Sequence, residues 1–266
     1  MKTWTFGHTI AWLLFIVVLP LAFIYKIEQP VTAWWILMAG FMSILLITGH
    51  GVTGSMKGAF VDNRNTLSLS RFQMMAWTIL ILSALCAAAF WNIKVGDPNP
   101  LNIGLKEELW LLMGISTASL VGSPLILNGK KALAPDRAEM SKTFELLKQQ
   151  GYDTDKLDNQ GHLIVNAAPH HARWSDLFTG EETGNFAHLD LARLQMFFFT
   201  LVALLVYGAA LLSKLGTTSG AITELPTLTY GLLALIGISH TGYLTAKATA
   251  NSQSGSQLPQ SETPSK

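Results

Sequence analysis

Few side chains in this sequence could do chemistry, and their spacing argues against most of it. His8, His50 and His240 lie in apolar stretches, toward the same end of the helices those stretches predict. Two imidazoles from different helices can hold a b-type haem axially. His162, His170, His171 and His188 fall in a hydrophilic stretch and read as solvated. His170 and His171 are adjacent, not three or four apart, and no cysteine accompanies them, so a helical zinc pair is not indicated. Ser239 and His240 are also adjacent, and neighbours on a helix point along different faces. They cannot by themselves form a nucleophile and its base. No GxxxxGK[ST] loop, GxGxxG unit or HExxH helix occurs, so phosphate-driven pumping and zinc proteolysis lack support. The expectation is a non-enzyme with no catalytic residues, no metal and no cofactor.

Two other sets of residues have suggestive spacing. Gly114, Ala118 and Gly122 recur every four residues, as do Gly237, Thr241 and Thr245. Small-xxx-small stripes let helix backbones approach closely in lipid, where packing replaces the hydrophobic effect. Alternatively, they belong to a polar seam that lines a pore or ligand cleft, to which Ser116, Thr117, Ser119, Ser239, His240 and Thr241 contribute hydroxyl and imidazole groups. The second set is a predicted interface: Arg71, Gln73, Arg193 and Gln195 at two helix starts, and Trp174, Leu177 and Phe178 at i, i+3, i+4. Ser68 and Asp190, three residues before the two arginines, suit helix N-caps. Each Arg either anchors to lipid phosphates or pairs with the other copy or an acidic partner.

The elements that must position these residues are membrane spans. Half of the 266 residues are hydrophobic and 13% are charged, against ~25% in ordinary soluble domains. All 35 charged residues (18 Lys and Arg, 17 Asp and Glu) fall outside six windows: 3–25, 29–56, 72–93, 109–129, 194–213 and 225–246. About 20 apolar residues of helix cross a bilayer, and a span must satisfy its own backbone polar groups without water. Six transmembrane helices are therefore predicted. No Asp or Glu lies in a window, whereas ion-coupled transporters usually place ionisable groups there. Lone Cys86 excludes an intrachain disulfide. Net charge is +1, and there is no basic stripe with interleaved aromatics, so nucleic acid is not a partner. No small-x-small cleavage site follows the first apolar run, which reads as an uncleaved span. Pro20 lies near its outer end, and Trp34 and Trp35 suit an outer aromatic belt.

Orientation follows the basic residues. Near the span ends, Lys2, Lys57, Arg64, Arg71, Lys130, Lys131, Arg137, Arg193 and Lys247 mark one side, and Lys26, Lys94, Lys106 and Lys214 the other. The richer side is expected to be cytoplasmic, which places both termini inside.

The chain also repeats itself. Residues 67–78 read LSLSRFQMMAWT and residues 189–200 read LDLARLQMFFFT; LWLLMGIS ending at Ser116 recurs as LLALIGIS ending at Ser239. Each unit is a two-span hairpin, and both units start from the same side. The predicted organisation is an all-α membrane protein with an N-terminal two-span hairpin (1–60), repeat hairpins at 61–129 and 189–247, a small cytoplasmic loop domain (130–188) and a disordered tail (248–266). Within the loop, Asp136 to Gln150 reads as helix, Gly161 to Asn166 as a short strand and Arg173 to Gly180 as an amphipathic turn followed by Glu181 and Glu182.

Three segments, VDNRNTLSLSRFQMMAWT (61–78), WSDLFTGEETGN (174–185) and GISHTGYL (237–244), resemble uncharacterised bacterial inner-membrane proteins. That resemblance implies a bacterial inner membrane and no activity. The reading from sequence is a non-enzymatic scaffold in the lipid bilayer. It presents the loop to a membrane-associated protein and self-associates as a homo-oligomer. The alternatives are a passive channel lined by spans four and six, and a b-type haem electron carrier.

Overall fold

The structure, a computed structural model, describes residues 4–26 and 28–252. Lys2 and the tail beyond Ser252 lie outside the described residues. The chain forms helices α1 (Phe6–Lys26), α2 (Pro30–Thr53), α3 (Leu69–Lys94), α4 (Glu107–Lys131), α5 (Arg137–Gln149), α6 (Leu191–Thr217) and α7 (Tyr230–Ala248), with a hairpin of β1 (Leu157–Gln160) and β2 (Leu163–Asn166) between α5 and α6. Among the described residues four helices, α2, α3, α4 and α6, are long and apolar enough to cross a membrane.

Local chemistry sets the boundaries. Pro30 opens α2, and Gly54 closes it at φ +74°, a left-handed conformation that costs glycine little. The Ser68 hydroxyl accepts from Arg71 N at the start of α3, and the Asp190 carboxylate accepts from Arg193 N at 3.1 Å at the start of α6. Both predicted caps form. Helix α4 carries Glu107 and Glu108 in its first turn and Lys130 and Lys131 in its last, matching its dipole at both ends.

Helices α3, α4, α7 and α6 pack in a closed ring, each against the next; α2 lies on α3, and α1 on α2. Between them sits an apolar core that includes Trp34, Trp77, Leu109, Leu112, Tyr207 and Leu211. Trp34 is thus a core residue rather than a belt residue, and Trp77 is buried in the same core, while Trp35 and Trp110 are exposed. Large apolar side chains cover the outside of the bundle, among them Leu125, Phe198, Leu205 and Ile238. Such a surface fits contact with a lipid bilayer.

At the far end of the bundle the connections after α3 and α6 zip together. Gly104 N donates to Thr223 O at 2.7 Å, and Asn92 exchanges hydrogen bonds with the backbone of Ile222. At the other end, residues 54–68, 132–190 and 249–252 meet. The loop helix is Arg137–Gln149 with Asp136 as its cap. The predicted strand is Leu163–Asn166, and it acquires a partner, β1, that the sequence did not announce. The amphipathic turn is a short 3-10 helix over Trp174–Leu177.

The segments before α3 and α6 are built alike. Val61 bridges Leu67, and Thr179 bridges Leu189. Ser68 N donates to Phe60 O and Asp190 N to Phe178 O, both at 2.8 Å. Each phenylalanine then packs on an aromatic of the helix that follows, Phe60 on Phe72 and Phe178 on Phe197.

Candidate functional site

The distinctive chemistry of this protein is a buried ion cluster where the loop meets the bundle. Arg64 comes from the segment before α3, Lys130 from the last turn of α4, Arg193 from the first turn of α6 and Lys247 from the last turn of α7. Each is no more than 7% exposed. A buried cation needs a counter-charge, and the GEETG turn of the loop supplies two. Oε1 of Glu181 meets three cations: Lys247 Nζ at 2.6 Å, Arg64 Nη2 at 3.3 Å and Arg193 Nη2. Glu182 takes Lys130, whose ammonium also donates to the carbonyls of Lys247 and Thr249 at 2.6 and 2.7 Å. Asp62 holds Arg64 at 3.0 Å, and Asp190 sits 3.5 Å from Arg193. Four carboxylates thus face four cations.

The turn itself is sterically fixed. The Asn185 side chain accepts from the amides of both Glu181 and Glu182 at 3.0 Å. A Cβ on Gly180 would meet Asn185, and one on Gly184 would meet Asn251 O and Glu139. Thr143 of α5 donates to Thr183 O at 2.6 Å, and Gly184 N donates to Ser252 Oγ at 2.8 Å. Asn251 and Ser252 are therefore anchored, where the sequence predicts a tail disordered from 248.

Burial tends to raise the Glu181 carboxyl pKa, but Arg193, Lys247 and Arg64 outweigh it and hold the group well below the usual carboxylate range. Burial also opposes ionisation of Asp62, and Arg64 reverses it, so its carboxyl too is lowered. Asp176 goes the other way. Burial raises it, although its carboxylate accepts from the amides of Arg173 and Leu67.

The predicted interface residues separate. Arg193 is buried and meets acidic partners, Glu181 and Asp190; it also donates to Asp176 O at 3.0 Å. Arg71 stays half-buried and donates to Val61 O. Gln73 is buried and reaches across to α6, donating to Met196 O and Thr200 Oγ1; Gln195 is exposed. Leu177 is buried and Phe178 packs edge-on against Phe197, while Trp174 remains 54% exposed.

The small-residue stripe is displaced by about a third of a helical turn from the face that packs, whereas Ser116, Ser119, Ser239 and His240 of the polar seam lie on that face. Gly114, Ala118 and Thr241 are exposed, and a Cβ on Gly114 would meet nothing within 4 Å. A Cβ on Gly122 would make ordinary contact with Leu244, and one on Gly237 with Ile115. The face that packs reads Leu112, Ser116, Ser119, Ser123 on α4 and Ile236, Ser239, His240, Tyr243, Lys247 on α7. Hydroxyls, not glycines, line it. Lys247 Nζ donates to Ser123 Oγ at 2.5 Å, Tyr243 OH lies 3.2 Å from Ser70 Oγ, and His240 Nδ1 lies 2.6 Å from Ser119 Oγ. In a dry helix pair such contacts satisfy groups that lipid cannot. Adjacent Ser239 is not the partner of His240; a serine on the facing helix is.

The other histidines also sort out. His8 Nε2 and His50 Nδ1 touch at 2.9 Å with stacked rings. Axial haem ligation needs the iron between two such nitrogens; here they meet each other. His162 is buried rather than solvated, with Nε2 3.1 Å from Ala134 O, while His170 and His188 are exposed. Among the described residues no group of three His, Cys, Asp or Glu could hold a metal ion.

Sequence reading missed the cluster because a charge near a span end looks the same whether it faces lipid headgroups or a carboxylate. The available signal was GEETG: paired acids between glycines, beside an apolar turn. No protein family, curated protein or solved structure was found to match the chain.

Proposed function

We propose that the protein is a non-enzymatic membrane scaffold with six spans, α1 and α7 joining the four long apolar helices. On this reading the loop end faces the cytoplasm of a bacterium, the bundle sits in the inner membrane, and the chain self-associates or holds a membrane-associated partner. The observation that carries the reading is the ion cluster. It clamps the loop to terminal residues of three ring helices, α4, α6 and α7, and to the segment that leads into α3, which suits a rigid platform rather than a tether. The matched segments before α3 and α6, and the ring in which α3 meets α6 and α4 meets α7, support a duplicated hairpin with a pseudo-two-fold axis along the membrane normal.

Leu177 and Phe178 are used internally, so Trp174 is the aromatic left for a partner. Beside it the Arg173 guanidinium lies over the Tyr152 ring at 4.1 Å. An adjoining cleft of about 320 Å³ is lined by Lys57, Lys156, His170, His171 and Arg173, with Asp153 the single acid. Exposed tryptophan and arginine are the residue types that dominate interface energetics, and the cationic cleft suits an acidic segment of the partner.

A photo-crosslinker at Ser175 in native membranes tests this. Wild type should yield a discrete adduct with another protein or a second copy, and Trp174→Ala should abolish it while insertion and melting stay unchanged. An adduct pattern identical in Trp174→Ala, or none at all in wild type, refutes the scaffold reading.

The polar column Lys247, Ser123, Tyr243 and, one turn deeper, His240 and Ser119 favours one alternative, a passive channel between α4 and α7. Proton or ion flux in liposomes that disappears in Ser119→Ala would move that reading ahead.

A further inference from the structure

Arg71 and Arg193 hold the same place in the two copies of the Arg-x-Gln-Met motif, yet their counter-charges differ. Arg193 receives Glu181 from the loop. Arg71 receives a backbone carbonyl, Val61 O at 2.7 Å, and among the described residues no carboxylate lies within ion-pair distance of it.

Arg71 opens instead on a small cavity of about 40 Å³ between α3 and α4, shared with Arg64, Asn128, Lys131, Pro124 and Leu127. Arg64 is 3% exposed, yet among the described residues its Nη1 has no hydrogen-bond partner. A buried, charged N–H without an acceptor is costly. Asp62 also lines the cavity, but its oxygens are engaged. They take the Arg64 side chain at 3.0 Å, the Arg64 amide at 2.9 Å and the Thr66 hydroxyl at 3.1 Å. The first turn of α3 adds the positive end of a helix dipole and the last turn of α4 the negative end. Arg64 is already balanced by Asp62 and Glu181, so Arg71 and Lys131 are the two cations of the cleft outside the cluster's balance, and they set the sign.

We propose that this cleft binds a phosphate group, supplied by the headgroup of an anionic membrane lipid. Phosphate offers acceptor oxygens to both guanidiniums at once. The cleft lies between two helices long and apolar enough to cross a membrane, and Pro124 and Leu127 form its apolar wall. Basic pockets between transmembrane helices are a recognised setting for anionic headgroups. In the second copy Glu181 plays the part that the lipid plays in the first.

The test uses the full-length protein purified in a neutral detergent, with melting followed on addition of phosphatidylglycerol, phosphatidylcholine or inorganic phosphate. Phosphatidylglycerol should raise the melting temperature and phosphatidylcholine should not. Arg71→Gln with Lys131→Gln should weaken the apparent affinity roughly 30-fold, from the loss of two basic contacts. Arg137→Gln with Lys142→Gln, on exposed α5, removes the same charge and should change it less than three-fold. If Arg71→Gln melts too low to titrate, Lys131→Gln alone should weaken binding roughly five-fold. Protection by inorganic phosphate alone, lost in the cleft variant, would keep the phosphate site and overturn the lipid source. Equal protection of wild type and cleft variant, equal losses in cleft and α5 variants, or no protection by either anion would overturn the proposal.

Discussion

Replacing Glu181 by Gln isolates one charge. All three cations meet the same oxygen, Oε1, and glutamine retains an acceptor at that position. What is lost is the negative charge, and the balance of four carboxylates against four cations becomes three against four. At an effective dielectric of ~20, a pair at 2.6 Å attracts by roughly 6 kcal/mol and one at 3.3 Å by roughly 5. Desolvation of the ions offsets much of this, and breaking a buried pair costs about 3–5 kcal/mol net. Glu181→Gln should therefore raise the opening equilibrium of the loop roughly 150- to 5,000-fold. Hydrogen–deuterium exchange of the amides from 157 to 190 in detergent-solubilised protein reads this directly. The amides of α3 and α6, held by the apolar core, should change little. Adding Lys247→Met to Glu181→Gln restores neutrality and should recover at least half of the lost protection. If Glu181→Gln exchanges within three-fold of wild type, the ion cluster does not hold the loop and the clamp argument is wrong.

Gly114→Leu should melt within a degree or two of wild type, because an added side chain there meets nothing, whereas Gly184→Ala should expose the loop to protease, since its Cβ would strike Asn251 O; the reverse ranking would show that the α4 glycine face is packed. Glu181 has a lowered folded-state pKa, so its contribution is fully present above the unfolded carboxylate pKa of ~4.3 and is lost as pH falls from there toward the folded value. Loop protection should then be flat from pH 8 to about 5.5 and fall below about 4.5, and a loss between pH 7 and 6 would point to histidine control instead. With Cys86→Ser as background, an impermeant thiol reagent added to intact cells should label Ser219→Cys and spare Asp158→Cys; labelling of Asp158→Cys would invert the proposed topology.

The membrane class was legible because hydrocarbon excludes charge over any stretch long enough to span it, and that constraint acts residue by residue along the chain. Two helix starts were legible for the same local reason: Ser68 and Asp190 cap amides only three residues away. Which face of a helix packs inward was not. An α4 that is apolar or small nearly all round offers no polar stripe to mark its outside, so Gly114 and Ser116 looked equivalent until α7 took its place against one of them. Nor could the sequence say that Arg64, Lys130, Arg193 and Lys247, spread across 184 positions of the chain, converge on two adjacent glutamates. A charge near a span end is equally at home beside water, a lipid phosphate or a carboxylate. Only the tertiary structure, by bringing three helix ends and the segment before α3 around the GEETG turn, removes the water and leaves the carboxylates to balance the cations.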